Sequence, residues 1–186
     1  MPEISSMTPS SSETEPLGIR PARIDDAPQL AWIHLQTWQA AYRDILSAHY
    51  LGGLSAGVER RAVALAKSID SGKLSVWVAE QGGGLVAWAS FGRSRDADAL
   101  LTTGELRAIN LLPQVWSQGI GRRLWQQVRL QLIDEGFTQA TVWVIQGNQR
   151  AIGFYDAVGF VQEPDTAVTV VENDEPLPLV RYRTAL

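Results

Sequence analysis

No cysteine occurs in the 186 residues. That absence excludes a disulfide framework, a thiolate zinc site and a thiol nucleophile together. Histidine is scarce too: the chain has two, His34 and His49. Two imidazoles make a metal centre or a Ser-His pair improbable, so no metal is expected. Basic clusters are missing. The net charge is −4, and the arginines are scattered apart from Arg60-Arg61 and Arg122-Arg123. No nucleic-acid partner is expected, because phosphate backbones are gripped by a basic surface. No apolar run approaches the roughly 20 residues of a membrane span, and the N-terminus lacks the basic and apolar regions of a signal peptide. The expectation is a cytoplasmic protein with no membrane partner.

Hydrophobic residues make up 45% of the chain and charged residues 19%, the proportions of a globular protein. The length suits one sizeable domain. Residues 1–16, rich in Ser, Thr, Pro and Glu, read as a disordered tail, and 17–186 as the domain. Leu17–Ala22 is expected to form a short strand. Asp25 or Asp26 caps a helix to about Tyr42, with Leu30, Ile33, Leu35 and Trp38 as its apolar side. Asp44–Tyr50 reads as a short helix stopped by Gly52-Gly53, and Ser55 caps a third that runs to about Ile69. Both histidines are expected on helix surfaces.

Leu74–Glu80 and Leu85–Phe91 flank Gly82-Gly83-Gly84 as a hairpin, followed by a charged loop, Arg93–Leu101. Glu105–Leu112 is a strand. A helix then runs from Ile120 to Glu135 and closes at Gly136. Thr138–Gln146 is a strand and Gln149–Ala157 a short helix ended by Gly159. Val161–Val171 and Leu177–Arg183 form a last antiparallel pair around Glu172–Pro176. The strand–helix–strand run from Glu105 to Gln146 implies a right-handed crossover between parallel neighbours, and the hairpins imply antiparallel pairing elsewhere. The fold class is α/β, a mixed sheet with helices on both faces.

Gln118-Gly119-Ile120-Gly121 joins the apolar run Leu106–Leu112 to the amphipathic run Ile120–Ile133. A strand that turns through two glycines into a helix leaves several N–H groups unpaired and pointing one way, the geometry that holds a pyrophosphate. Glycine lets the phosphates approach the backbone where a Cβ would intervene. Alone, the pattern also fits an ordinary strand–helix turn. Downstream, Asn148-Gln149-Arg150-Ala151-Ile152-Gly153-Phe154-Tyr155-Asp156-Ala157-Val158-Gly159-Phe160 opens a short helix with Asn, places a Tyr about two turns later and ends on Gly-Phe.

Combined with Pro113 through Leu124, that segment resembles the GCN5-related N-acetyltransferase (GNAT) superfamily. Its members usually read Pro-x-x-Arg/Gln-Gly-x-Gly-x-Gly/Ala at the turn. Trp116 and Ser117 stand here where Arg/Gln and Gly are usual. The element order from Leu17 to Leu186 is similar as well. The resemblance implies a mixed, mostly antiparallel central sheet with helices on both faces and acetyl-CoA as co-substrate. It also implies acetyl transfer to a primary amine of a small molecule or peptide, by direct attack in a ternary complex. Dimers are common in the resembled family, so a homodimer is among the expected states.

By that resemblance Ser117, Gln118, Gly119, Ile120, Gly121 and Arg122 cradle the pyrophosphate, with Trp116 either against the cofactor or capping the surface. Ile109, Asn110 and Leu111 match the strand whose backbone pairs with the pantetheine arm, and the Leu111 N–H polarises the thioester carbonyl. Asn148 matches the asparagine that contacts the cofactor and also reads as a helix N-cap. Tyr155 matches the general acid; the alternative is a core tyrosine. Arg122 and Arg123 add positive charge near the CoA phosphates or simply form a solvated helix face.

The chemistry sets what else is needed. An amine with a lysine-like pKa of about 10.4 is neutral in roughly one molecule in 2,500 at pH 7, a barrier of about 4.6 kcal/mol unless a base acts on site. Glu105 is the candidate base. Its offset from the pantetheine-pairing stretch matches the catalytic glutamate of histone-type members, and its even spacing to Ile109 and Leu111 predicts one shared face. A solvent-facing carboxylate at a strand start is the alternative. The glutamate that the ribosomal-protein branch carries on the next strand is Trp143 here. The acceptor site is expected from the first two helices and the loop Arg93–Leu101, with Trp38 and Tyr42 sharing a helix face; Trp38 also falls on the apolar stripe, which gives it core packing as the alternative, and Tyr42 lines the acceptor pocket. An acyl-CoA-binding sensor or scaffold without turnover is the other reading. A dinucleotide-binding oxidoreductase fits poorly, because Leu124 replaces the third glycine of G-x-G-x-x-G.

Overall fold

The computed structural model describes residues 16–186, so the tail expected over 1–16 lies, save for Pro16, outside the described residues. Eight strands make one sheet: β1 (Gly18–Pro21), β2 (Ser75–Gln81), β3 (Gly84–Arg93), β4 (Thr103–Leu111), β5 (Gln139–Ile145), β6 (Val161–Gln162), β7 (Val168–Glu172) and β8 (Glu175–Ala185). Their order is β1-β2-β3-β4-β5-β8-β6, with β7 also paired to β8. Only β4 and β5 run parallel; the remaining pairs are antiparallel. Five helices, α1 (Ala27–Ala41), α2 (Ala48–Gly53), α3 (Val58–Asp70), α4 (Ile120–Asp134) and α5 (Gln149–Ala157), complete the fold. The mixed, mostly antiparallel sheet with helices on both faces is the one expected.

Each face is sealed by a helix whose apolar spacing matches its burial. Ile120, Leu124, Val128 and Leu132, four apart along α4, are buried with Trp125 against Ala87, Ala89, Phe91, Leu106 and Val142. On the opposite face Ala27, Leu30, Ala31 and Ile33 of α1, with Leu65 of α3, cover Val76, Val78, Leu85 and Trp88. Each fully buried Leu or Ile contributes about 1.5–3 kcal/mol. A smaller cluster of Leu46, Tyr50, Leu51, Ile145 and Leu177 lies beside Trp38 and Tyr42.

Three local expectations are corrected. The second helix is Ala48–Gly53, not Asp44–Tyr50, because the Ser47 hydroxyl accepts from the Tyr50 N–H at 3.1 Å and sets the start there. The strand expected over Val161–Val171 is two pieces, β6 and β7. Pro164 cannot donate to the ladder, and Asp165 stands at φ 57, so the chain loops out between the two pairings with β8. His34 is buried, not on a helix surface, whereas His49 is exposed as expected.

Two irregularities of β4 position the site. Its pairing with β5 spans only Thr103↔Gln139 to Glu105↔Thr141, after which the strands diverge. It also carries a bulge: Leu106 pairs with Phe91 and Ala108 with Ser90, leaving Arg107 as an extra residue. A bulge shifts the alternation by one. Leu106 therefore packs on the α4 side, Ala108 on the α1 side, and Ile109 and Leu111 on the α4 side again.

Candidate active site

Where β4 and β5 part, a cavity of about 880 Å³ opens between the starts of α4 and α5 and the C-terminal half of α1. It is lined by Ile109, Asn110 and Leu111 of β4, by Trp116, Ser117, Gly119, Ile120, Gly121 and Arg122, by Asn148, Arg150 and Tyr155, and by Thr37, Trp38 and Tyr42. Of the residues given a site role in the sequence, Gln118, Glu105 and Arg123 do not line it. The loop Arg93–Leu101 contributes none of its wall.

The mouth of the cavity is a turn with unspent donors. Gly119 takes φ 81 and no side chain caps the helix. The first amide turned back onto the helix is that of Arg123, bonded to the Gly119 carbonyl at 3.1 Å. The N–H groups of Ile120, Gly121 and Arg122 thus precede the helical ladder and carry its positive end. Ser117 also stands in the left-handed region, at φ 62, so it keeps a path that glycine adopts freely at a cost of roughly 1 kcal/mol. Gly121 is needed for packing as well, since a Cβ there would meet Phe154 at 3.3 Å and Leu111 at 3.4 Å.

Trp116 does not hang free over the cavity. Its Nε1–H donates to the Leu111 carbonyl at 2.9 Å, and the Arg150 guanidinium lies 4.2 Å from its ring centroid. The Thr37 hydroxyl lies 2.9 Å from the same carbonyl. Leu112 N–H is bonded to Val86 of β3; by alternation along the strand, the amides of Leu111 and Ile109 face the gap toward β5. That leaves their N–H groups on the cavity side.

Tyr155 sits deeper, 6% exposed, with its ring against Phe154, Phe160 and Tyr182. It is both a core tyrosine and a lining residue. Burial, with the nearby Tyr42 hydroxyl second, holds its pKa above the usual phenol range. Tyr42 is raised by burial, with the Asn148 amide working the other way. Asn148 is also the N-cap of α5, its Oδ1 accepting from Ala151 N–H at 3.1 Å. Trp38 and Tyr42 rings lie 4.8 Å apart, as their shared helix face predicted.

Glu105 is corrected in one respect. The bulge at Arg107 places it on the face opposite Ile109 and Leu111, not the same face. A Cβ on its neighbour Gly104 would meet Leu132 and Phe137 on the α4 side, which turns Glu105 toward the other side. There its buried carboxylate accepts from the Arg95 guanidinium at 2.6 and 3.0 Å and from Arg95 N–H at 3.1 Å. The same loop is fastened further along. Asp96 accepts from Trp143 Nε1 at 2.9 Å, and Asp98 takes both terminal nitrogens of buried Arg181 at 2.7 Å. Arg181 also pairs with Glu163.

Thr37 and Arg150 were missed in the sequence. Arg150 lay inside the quoted Asn148–Phe160 segment, and Thr37 stands one helical turn before Ala41, on the face that carries Trp38. Among the described residues no cluster of three or more His, Asp or Glu could hold a metal ion, and no helix is long and apolar enough to cross a membrane.

This fold is that of the GNAT acetyltransferases, and the chain belongs to that family: the acetyltransferase (GNAT) family model matches residues 29–160. It is 33% identical over 140 residues to the uncharacterized N-acetyltransferase YuaI of Bacillus subtilis, covering 75% of this chain and 77% of that protein. It is 25% identical over 166 residues to a probable N-acetyltransferase of Mycobacterium tuberculosis, covering 89% and 91%. Among solved structures, the PaiA N-acetyltransferase of Thermoplasma acidophilum in complex with coenzyme A superposes with a TM-score of 0.73 at 16% identity, over 92% of this chain and 99% of that one. YncA of Salmonella typhimurium, a putative acetyltransferase solved with acetyl-CoA, gives 0.67 at 19% identity, over 91% and 94%.

Proposed function

We propose that the protein transfers the acetyl group of acetyl-CoA to a primary amine of a small molecule or peptide by direct attack in a ternary complex. The observation that carries this reading is a convergence on one cavity. The unspent amides at the start of α4, the gap-facing N–H groups of Ile109 and Leu111, and the Tyr155 side chain all open onto it. The pyrophosphate then rests on the turn from Ser117 to Arg122, with Arg122 and Arg150 at the rim. The pantetheine arm extends the edge of β4. The amine nitrogen attacks the thioester carbon, the oxyanion takes the Leu111 N–H, and the C–S bond breaks. Tyr155, kept protonated by its raised pKa, hydrogen-bonds the departing sulfur; the proton that the thiolate finally gains balances the one the attacking nitrogen loses. Glu105 enters only through ordered water, because Arg95 holds its carboxylate outside the cavity.

Calorimetric titration of acetyl-CoA tests the reading. Wild type should bind in the micromolar range, and Gly119→Val at least tenfold more weakly. A Cβ at Gly119 meets nothing within 4 Å, so the loss would come from backbone strain at φ 81. A wild type that binds no acetyl-CoA sinks the proposal. A second reading, acyl-CoA binding without turnover, is favoured by one observation: no Asp, Glu or His is among the cavity-lining residues described. Steady-state CoA release in the presence of amines separates the two.

A further inference from the structure

We infer that the acceptor amine is carried on an uncharged aromatic body, the chemistry of an arylalkylamine, and that polycations such as polyamines and aminoglycosides are rejected. The inference rests on the acetyl-transfer reading above. Its first support is the wall that α1 offers. Thr37, Trp38, Ala41 and Tyr42 form one contiguous stripe on the cavity, and the Trp38 and Tyr42 rings are held in place from behind by His34, 4.9 Å from Trp38, and Tyr50, 6.4 Å away. A braced, tilted aromatic pair is a surface for a flat apolar group.

The charges point the same way. None of the described lining residues is Asp or Glu, and the two that are ionised are Arg122 and Arg150. A second cation on the acceptor would find no carboxylate in this lining to pair with. Of the carboxylates around the α1-side face of β4, β5 and β8, four are already engaged by arginines. Glu105 is held by Arg95, while Asp96, Asp98 and Glu163 are held by Arg181. A cavity without an anion also disfavours the ammonium form, so the amine is better accommodated neutral, as attack requires.

Asn110 supplies the orienting contact. It is 3% exposed, lines the cavity, and its side chain makes no hydrogen bond with another described residue. Two other polar groups of the lining are committed, Asn148 Oδ1 to its own helix and the Thr37 hydroxyl to backbone carbonyls. An amine N–H donating to the Asn110 Oδ1 would give that amide a partner.

The test is steady-state CoA release by the full chain at pH 8 with 2-phenylethylamine, spermidine and kanamycin, alongside calorimetry of acetyl-CoA. The expected result is a kcat/KM for 2-phenylethylamine at least 100-fold above either polycation. Trp38→Ala should raise the KM for 2-phenylethylamine at least tenfold and leave the acetyl-CoA Kd within twofold; Trp38→Phe, which keeps a ring, should recover most of the loss. Equal or better use of spermidine or kanamycin overturns the inference, as does a KM unmoved in both variants. If acetyl-CoA binds and 2-phenylethylamine is not acetylated, the acceptor class falls while the cofactor reading stands. If wild type binds no acetyl-CoA, both fall.

Discussion

Acid should destabilise this protein through one imidazole. His34 is 6% exposed, its Nε2 has no partner, and its ring lies against Trp38. Burial first, and Arg61 second, push its pKa down to about 3, against about 6.5 in an unfolded chain. Between those values the unfolded state binds a proton that the native state refuses. Stability is therefore intact above pH 6.5 and falls as the pH drops toward 3, by about 1.4 kcal/mol per pH unit. From pH 7.5 to 4.5 the loss is about 2.7 kcal/mol, a fall in Tm of roughly 5–10 °C for a chain of this size. The assay is the urea midpoint of wild type and His34→Met at pH 7.5, 6.5, 5.5 and 4.5. Methionine fills similar volume without titrating, so carboxylates such as Asp98 and Glu175 act alike in both proteins and cancel in the difference. Wild type should lose stability more steeply by about the amount above. Parallel slopes in the two proteins would refute the reasoning.

Four further outcomes are expected. Tyr155→Phe should lower kcat at least 100-fold with little change in the acetyl-CoA Kd; an unchanged kcat would leave Tyr155 a packing residue. Glu105→Gln should lower kcat/KM while leaving the acetyl-CoA Kd within twofold, and an unaltered kcat/KM would reduce Glu105 to an anchor for the Arg95 loop. Trp116→Ala removes one of two donors from the Leu111 carbonyl and unseats Arg150, so calorimetry should show acetyl-CoA affinity weakened about 5–20-fold, within the ~1–2 kcal/mol of one hydrogen bond and one cation–π contact; full affinity would make the tryptophan a surface cap. Arg181→Met breaks the buried ion pairs with Asp96 and Glu163 at a cost of about 3 kcal/mol, and a Tm lowered by less than about 3 °C would contradict that.

The elements that periodicity marks strongly were legible in the sequence. The four-residue spacing from Ile120 to Leu132 and the glycine hairpin after Glu80 dictate α4 and the β2–β3 pair almost residue by residue. The turn at Gly119 was legible because its left-handed backbone demands a glycine. What escaped was set by tertiary partners. Nothing local says that Arg107 bulges: the extra residue is visible only against β3, and with it went the face of Glu105. His34 was placed on a surface because an imidazole is polar, whereas its environment comes from α3 and Trp38. The commitment of the Arg93–Leu101 loop away from the cavity depends on Arg181, more than 80 residues distant. Trp116 could be weighed as a cap or a cofactor contact, but only the folded chain brings its indole to the Leu111 carbonyl.

The Arg107 bulge makes β4 two strands in one register frame. Ahead of it, odd-numbered positions belong to the α1 side; beyond it, they belong to the α4 side. Deleting one residue there would do more than shorten a strand. It would swing Glu105 and the Arg95 pairing it holds toward Leu132 and Phe137, or else throw Ile109 and Leu111 out of the gap toward β5. The two halves are thus free to diverge separately, one as a fastening for the neighbouring loop and the other as a ledge for the ligand, with a single supernumerary arginine as the joint between them. The side a residue faces along this strand follows from the bulge, not from counting positions back from the glycines.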